Sequence, residues 1–246
     1  MTTHPPSRSA AVDPSGAAAD PAALEAALSA DRFARYLDWA SDDHARARDL
    51  YNLNARLCEA LYIPLHAFEV ALRNRIDGVM SAAHGARWFE DPAVVVQPRQ
   101  QEQVAAAIDD LARDDKPDDP GRVVAALTFS FWTSFFGRDY EDLWRGTLNA
   151  IAARPDGRGL SRKDFARPST QLRFLRNRVA HHEPILYWDL PKHHANLQEL
   201  TLWLSPPLAA WSRSLDRFPE VHPPERIVLS VPRPPAPSGA PSDKEG

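Results

Sequence analysis

Arg176, Asn177 and His181 stand as R-N-x3-H inside FLRNRVAHHEPI, residues 174–185. Arginine keeps its charge at any working pH and forks onto two phosphate oxygens. Histidine gives or takes a proton near neutrality. Together they suit cleavage of RNA by its own 2′-hydroxyl. That reaction needs a base for the hydroxyl, an acid for the leaving 5′-oxygen and fixed positive charge on the non-bridging oxygens, but no metal. Asn177 lies one helical turn before His181, where its amide can hydrogen-bond the ring and fix the tautomer. Pro184 disfavours helix at Glu183, so the helix should stop near His182. His181 then sits in the last turn, where the helix dipole favours imidazolium. Arg176 and His181 are about 140° apart around an ideal helix, so they flank one phosphate only if it lies against the helix end.

The surroundings favour a polyanion. Residues 154–178 carry eight basic groups against Asp156 and Asp164, a net +6 within a chain of net charge −4. Arg167, Arg173 and Arg178 are the candidate RNA contacts. His182 reads equally as a solvated neighbour and as a second proton mover. The tetrapeptide LRNR also occurs earlier, at 72–75, but five residues after Arg73 stands only Gly78. Without a histidine this copy reads as a support. Glu69 and Arg73 are spaced i,i+4 and can pair, and with Asn74 they form a polar strip. If the two LRNR helices pack together, Glu69 can also reach Arg176 and hold it.

These residues need helices to position them, and the apolar pattern is helical nearly throughout. Helices are predicted over 22–28, 32–40 (with Asp31 as N-cap), 43–62, 65–80, 99–113, 122–136, 140–153, 169–182, 189–204 and 208–215. Pro64 should kink or interrupt the chain between the fourth and third of these, and Pro168 should precede the motif helix. The run 122–136 is apolar on most sides and reads as a central helix. Only RIVLS, 226–230, looks strand-like. The fold class is therefore all-α, a helical bundle over 22–218. Residues 1–21 read as a disordered leader and 219–246, rich in proline, as a disordered tail.

Composition narrows the function further. One cysteine, Cys58, excludes an internal disulfide framework and fits a reducing cytoplasm. No stretch approaches the ~20 apolar residues that span a bilayer, and no secretory h-region appears. His181, His182, His193 and His194 raise a zinc site, yet they contain no His-x3-His pair, and adjacent helical histidines diverge by about 100°. No metal and no cofactor is expected.

R-N-x3-H at a helix end resembles the Arg-polar-x3-His signature of HEPN-domain ribonucleases. LRNRVAHHEPI, the upstream PLHAFEVALRNRI and the intervening LTFSFWTSFF together resemble the Abi-like (abortive infection) family of bacterial proteins. The three blocks fall in that family's order across roughly residues 31–204. The resemblance implies an all-helical HEPN fold, often dimeric, and a toxic ribonuclease acting in phage defence. It also implies RNA as substrate, with an antitoxin or a phage-derived trigger as a further partner. Carried over by position, Arg176, Asn177 and His181 match the motif. Some members are controlled by modification of a tyrosine two residues after the histidine, where this chain has Glu183. Two other readings remain open from the residues: a non-catalytic RNA- or protein-binding module that senses infection, and a nucleotide-binding regulator. The plain reading of the motif is a helix end with Arg176 in a salt bridge and His181 capping carbonyls.

Overall fold

The computed structural model describes residues 20–230, so the leader and tail expectations fall largely outside the described residues. At their inner edges both need correcting. Asp20 accepts the Ala22 N–H at 3.1 Å and starts a helix at Pro21, while Phe218–Val221 forms a last helical turn. Every regular element among the described residues is helical, and the chain is all-α. The strand-like reading of 226–230 does not hold: that segment forms no strand among the described residues.

The described residues divide into two compact units, 20–51 and 52–230. In the first lie α1 (Pro21–Leu28), α2 (Ala30–Ala40) and the start of α3 (His44–His84). The N-cap of α2 is Ser29, so Asp31 falls inside the first turn, where a carboxylate still favours the helix dipole. Glu25 accepts from His44 Nδ1 at 2.6 Å and pairs with Arg48, and Tyr36 meets the Tyr51 ring edge-on at 5.2 Å.

α3 continues into the second unit without a break at Pro64. Proline deletes a single N–H, and the apolar stripe runs unbroken past it. Leu57, Leu61, Leu65, Phe68, Leu72 and Ile76 are all buried, so burial of the whole face outweighs one missing backbone bond. There follow α4 (Pro98–Arg113), α5 (Pro120–Ala126), α6 (Phe129–Ser134), α7 (Glu141–Gly146), α8 (Arg162–Ala180), α9 (Leu190–Leu204), α10 (Pro206–Ser214) and α11 (Phe218–Val221). The predicted central helix over 122–136 is thus two helices. Leu127 is extended, and the Thr128 hydroxyl caps a new start by accepting the Phe131 N–H at 3.4 Å. The break turns Phe131, Trp132 and Phe135 into one aromatic cluster around Trp88, at centroid distances of 6.1, 6.1 and 5.7 Å. Gln100 locks the cluster's edge, taking the Tyr140 hydroxyl at 2.5 Å and donating to the Phe131 carbonyl at 2.9 Å. The predicted helix over 140–153 likewise gives way after α7 to a 3-10 turn at Leu148–Ile151.

α8 carries the motif and packs between α6 and α9. It begins seven residues earlier than the sequence suggests and runs through Pro168. The reason is a capping box. Asp164 accepts the Ser161 backbone N–H at 2.7 Å and the Ser161 hydroxyl at 2.9 Å. Burial alone would raise the Asp164 carboxyl, but Ser161 and the Arg154 guanidinium at 3.0 Å outweigh it and hold it below the usual aspartate range. The start of α8 is thereby fixed, and Phe165, stacked on Phe136 at 5.0 Å, anchors its first turns.

Candidate functional site

The site is built on the last two turns of α8. Leu172 and Leu175 are fully buried, which turns Arg176 and Asn177 toward the half-exposed flank. Val179, at helical spacing with Leu172 and Leu175 and so expected on the same core face, is only partly covered. The helix closes at Ala180, two residues earlier than predicted, with His181 as the C-cap at φ −93°, ψ 9°. His182 follows in the left-handed region at φ 56°. The His182 N–H reaches the Val179 carbonyl at 3.2 Å and the Glu183 N–H reaches the Arg178 carbonyl at 2.8 Å. This is a Schellman closure with histidine where glycine is usual. Arg178 reinforces it from its side chain, donating to the Pro184 carbonyl at 3.1 Å and pairing with Glu183 at 3.2 Å. One residue further, the Ile185 N–H is taken at 2.8 Å by the buried amide of Asn54 on α3. The exit from α8 is therefore fixed at three points, and both histidines stay exposed on it.

Arg176 is held by a fork. Its Nε and Nη2 donate to the two oxygens of Glu69 at 3.0 and 3.2 Å, from α8 to α3. The guanidinium remains about two-fifths exposed, and Nη1 is left over for a ligand. The predicted Glu69–Arg73 pair does not form, because Glu69 spends both oxygens on Arg176. Arg73 instead donates to the neighbouring Asn74 at 3.1 Å. The two LRNR copies share more than letters. Leu72 and Leu175 are each fully buried, and the last arginine of each donates to backbone carbonyls outside its helix. Arg75 donates to the Ile151 and Ala150 carbonyls at 2.7 and 2.9 Å, as Arg178 does to Pro184. They differ at the first arginine, which stays local in one copy and is held across helices in the other.

Two expectations need correction. Asn177 meets His181 through the backbone, with the His181 N–H on the Asn177 carbonyl at 2.9 Å. Among the described residues no hydrogen bond joins the Asn177 amide to the His181 ring, since the non-helical cap turns the ring off the ideal helix path. The basic strip is also thinner than its charge count. Arg154 pairs with Asp164 and covers the Trp203 ring, Arg158 pairs with Asp156, and Arg162 is buried on Glu141. Arg178 is committed to Glu183 and the Tyr187 ring. Arg167 and Lys163 are exposed. Arg173 is half-buried over the Phe174 ring at 4.8 Å, with its buried Nε unsatisfied. Burial, helped by Arg99, lowers its pKa. Of the three predicted RNA contacts, then, Arg167 and Arg173 keep uncommitted charge and Arg178 is structural.

The other histidines lie elsewhere. His193 is buried beside the Trp188 ring at 5.2 Å, and His194 Nε2 donates to the Asp216 carboxylate at 2.6 Å. Among the described residues no three His, Cys, Asp or Glu side chains are placed to hold a metal ion, and no described helix is long and apolar enough to cross a membrane. Sequence reasoning missed Asn54 and Arg75. Asn54 carried a signal, a polar side chain inside the stripe of Leu50, Leu57 and Leu61. Arg75 carried none, because its carbonyl partners are 75 and 76 residues away. No protein-family model, curated protein or solved structure matches the chain.

Proposed function

We propose that this chain is a metal-independent endoribonuclease of the Abi-like HEPN type, acting in phage defence. The observation that carries the reading is the Glu69 fork on Arg176. A guanidinium whose Nε and Nη2 are fixed by a carboxylate on another helix presents its remaining edge in one orientation, as a transition-state clamp requires. His181 serves as acid or base from the exposed C-cap of the same helix, where its ring is open to RNA. Asn177 is the third motif residue, with an amide free to turn to the scissile nucleotide. Arg167 and Arg173 attract the backbone. One motif histidine per chain is half of what the reaction needs, so the active species is a homodimer with the two motifs facing one cleft. Growth of a host expressing the chain tests this. Induction should arrest growth and fragment RNA, and His181→Ala, with an unchanged circular dichroism spectrum, should do neither.

The same fork also favours a second reading. Glu69 already neutralises Arg176, which suits a non-catalytic RNA- or protein-binding module that responds to infection. On that reading the His181 variant binds its partner as the wild type does, and RNA stays intact with both.

A further inference from the structure

Along α3, positions 59, 62, 66 and 69 fall within about 80° of one another around the helix, so Glu59, Tyr62, His66 and Glu69 share one face. Packing does not account for the rings on it. Tyr62 is 62% exposed, and His66 beside it is exposed too. The two rings lie one helical turn apart and nearly parallel, at a centroid distance of 6.2 Å and an interplanar angle of 11°. From α10 the Trp211 ring, 42% exposed, meets His66 edge-on at 6.4 Å. Tyr62 and Trp211 are the two aromatic side chains among the large exposed hydrophobic residues described, and one histidine joins them. Both ends of the face are ion pairs. Arg217 Nη1 donates to Glu59 at 2.8 Å, and Arg176 forks onto Glu69 at 3.0 and 3.2 Å. From Tyr62 to Glu69 the helix rises about 10 Å, so the rings lead along α3 to the guanidinium whose Nη1 is uncommitted.

We propose that Tyr62, His66 and Trp211 form a stacking platform for the bases of single-stranded RNA whose phosphate sits on Arg176. The choice of RNA rests on the ribonuclease reading above; the platform rests on the rings and their place on α3. Exposed rings take the π-face of any base, so the platform holds unpaired nucleotides without reading their sequence. The size of the patch argues for so small a partner. Tyr62 and Trp211 expose roughly 100 Å² each, far below the ~800 Å² per partner of a stable protein interface. Length fits as well, since about 10 Å along α3 spans roughly three nucleotides of a stacked strand at ~3.4 Å each. Neither glutamate of this face is left unpaired to repel the strand. Stacking beside the clamp fixes the direction in which RNA crosses Arg176. It also favours single strands, because paired bases present no free face to the rings.

The test uses the full chain carrying His181→Ala, which leaves bound RNA uncut, and reads the fluorescence anisotropy of labelled hexauridylate. Tyr62→Ala and Trp211→Ala change exposed rings, and each should weaken binding about fivefold or more, on the scale of one base unstacked from an aromatic ring. Tyr62→Phe keeps the ring and should bind within about twofold. Salt dependence should be the same in all these chains, because no phosphate contact is lost. A ribose-phosphate strand of the same length without bases should bind them all alike. No binding of hexauridylate, unchanged affinity in both alanine variants, or an equal loss for the strand without bases overturns the proposal. Light scattering in which Tyr62→Ala dissociates a dimer overturns it too, and makes this face an interface between two copies. Binding is read without turnover, so base-dependent loss in a chain that never cuts RNA with His181 restored refutes the ribonuclease reading and leaves the platform standing. Cleavage by the wild type, with binding indifferent to Tyr62 and Trp211, refutes the platform alone.

Discussion

On the proposed ribonuclease reading Arg176 faces two demands, a fixed orientation and a free edge for phosphate, and the Glu69 fork at 3.0 and 3.2 Å would meet the first while leaving Nη1 for the second. A clamp acts more strongly as charge builds on the phosphate, so its loss appears in turnover. Arg176→Ala should lower kcat about a hundredfold or more while RNA binding weakens only a few-fold; parallel losses in both, matched by Arg173→Ala, would reduce Arg176 to one member of a basic patch. Glu69→Gln separates support from charge. Removing a carboxylate beside RNA should leave affinity unchanged or tighter, while looser positioning lowers kcat roughly tenfold. A faster Glu69→Gln enzyme would recast Glu69 as a brake. Cys58 makes a separate claim. Burial pushes its thiol up to about 11, so it stays protonated at neutral pH. Alkylation in the native chain should be slow at pH 7 and rise with pH until about 11; rapid labelling at pH 7 would contradict that burial.

At the scale of elements, α8 is set by its two ends. Ser161→Ala removes half of the capping box and should cost about 1 kcal/mol, or roughly 2–4 °C in Tm for a chain of this size. The Asp164 carboxyl is depressed in the folded state, so its contribution is present above its unfolded value near ~4 and is lost as pH falls through the lower folded value. The Ser161→Ala penalty should therefore shrink below about pH 4. At the other end, His182 has φ 56°, which strains a side chain with a Cβ. His182→Gly should raise stability by up to about 1 kcal/mol and leave cleavage intact; cleavage lost with stability gained would make His182 a proton mover. Much of this was legible in the sequence. The stripe of Leu57, Leu61, Leu65, Phe68 and Leu72 reads as helix directly, and the Glu69–Arg176 contact follows once the two LRNR helices are taken to pack. Pro168 misled although the Ser161–Asp164 capping box that starts the helix before it is a local signal; Pro64 misled because proline's local cost is visible in sequence while the burial that outweighs it depends on distant partners. The break at Leu127–Thr128 hid inside an apolar run for the same reason, since only the Trp88 cluster reveals why the chain turns there.

For the whole molecule, the proposed ribonuclease reading makes the assembly a matter of counting proton movers. A chain of 27.4 kDa with one motif histidine should scatter light as a species of about twice that mass at micromolar concentration, as a closed two-fold assembly does. A fully active monomer would reject the shared cleft. Charge gives a second check at this scale. With Arg167, Lys163, Arg173 and the free edge of Arg176 available near the motif, RNA affinity should fall with salt by a slope of about 3, on ~0.7 per phosphate contact for single strands; a slope near that of eight contacts would place RNA on a different surface. The most direct measurement is cleavage of an end-labelled RNA in excess EDTA by the wild-type chain and by His181→Ala, with the product ends identified. A 2′,3′-cyclic phosphate or its hydrolysis product from the wild type, and intact RNA from a folded His181→Ala, is the predicted result. Equal cleavage by both chains, or activity that EDTA abolishes and Mg²⁺ restores, would contradict it.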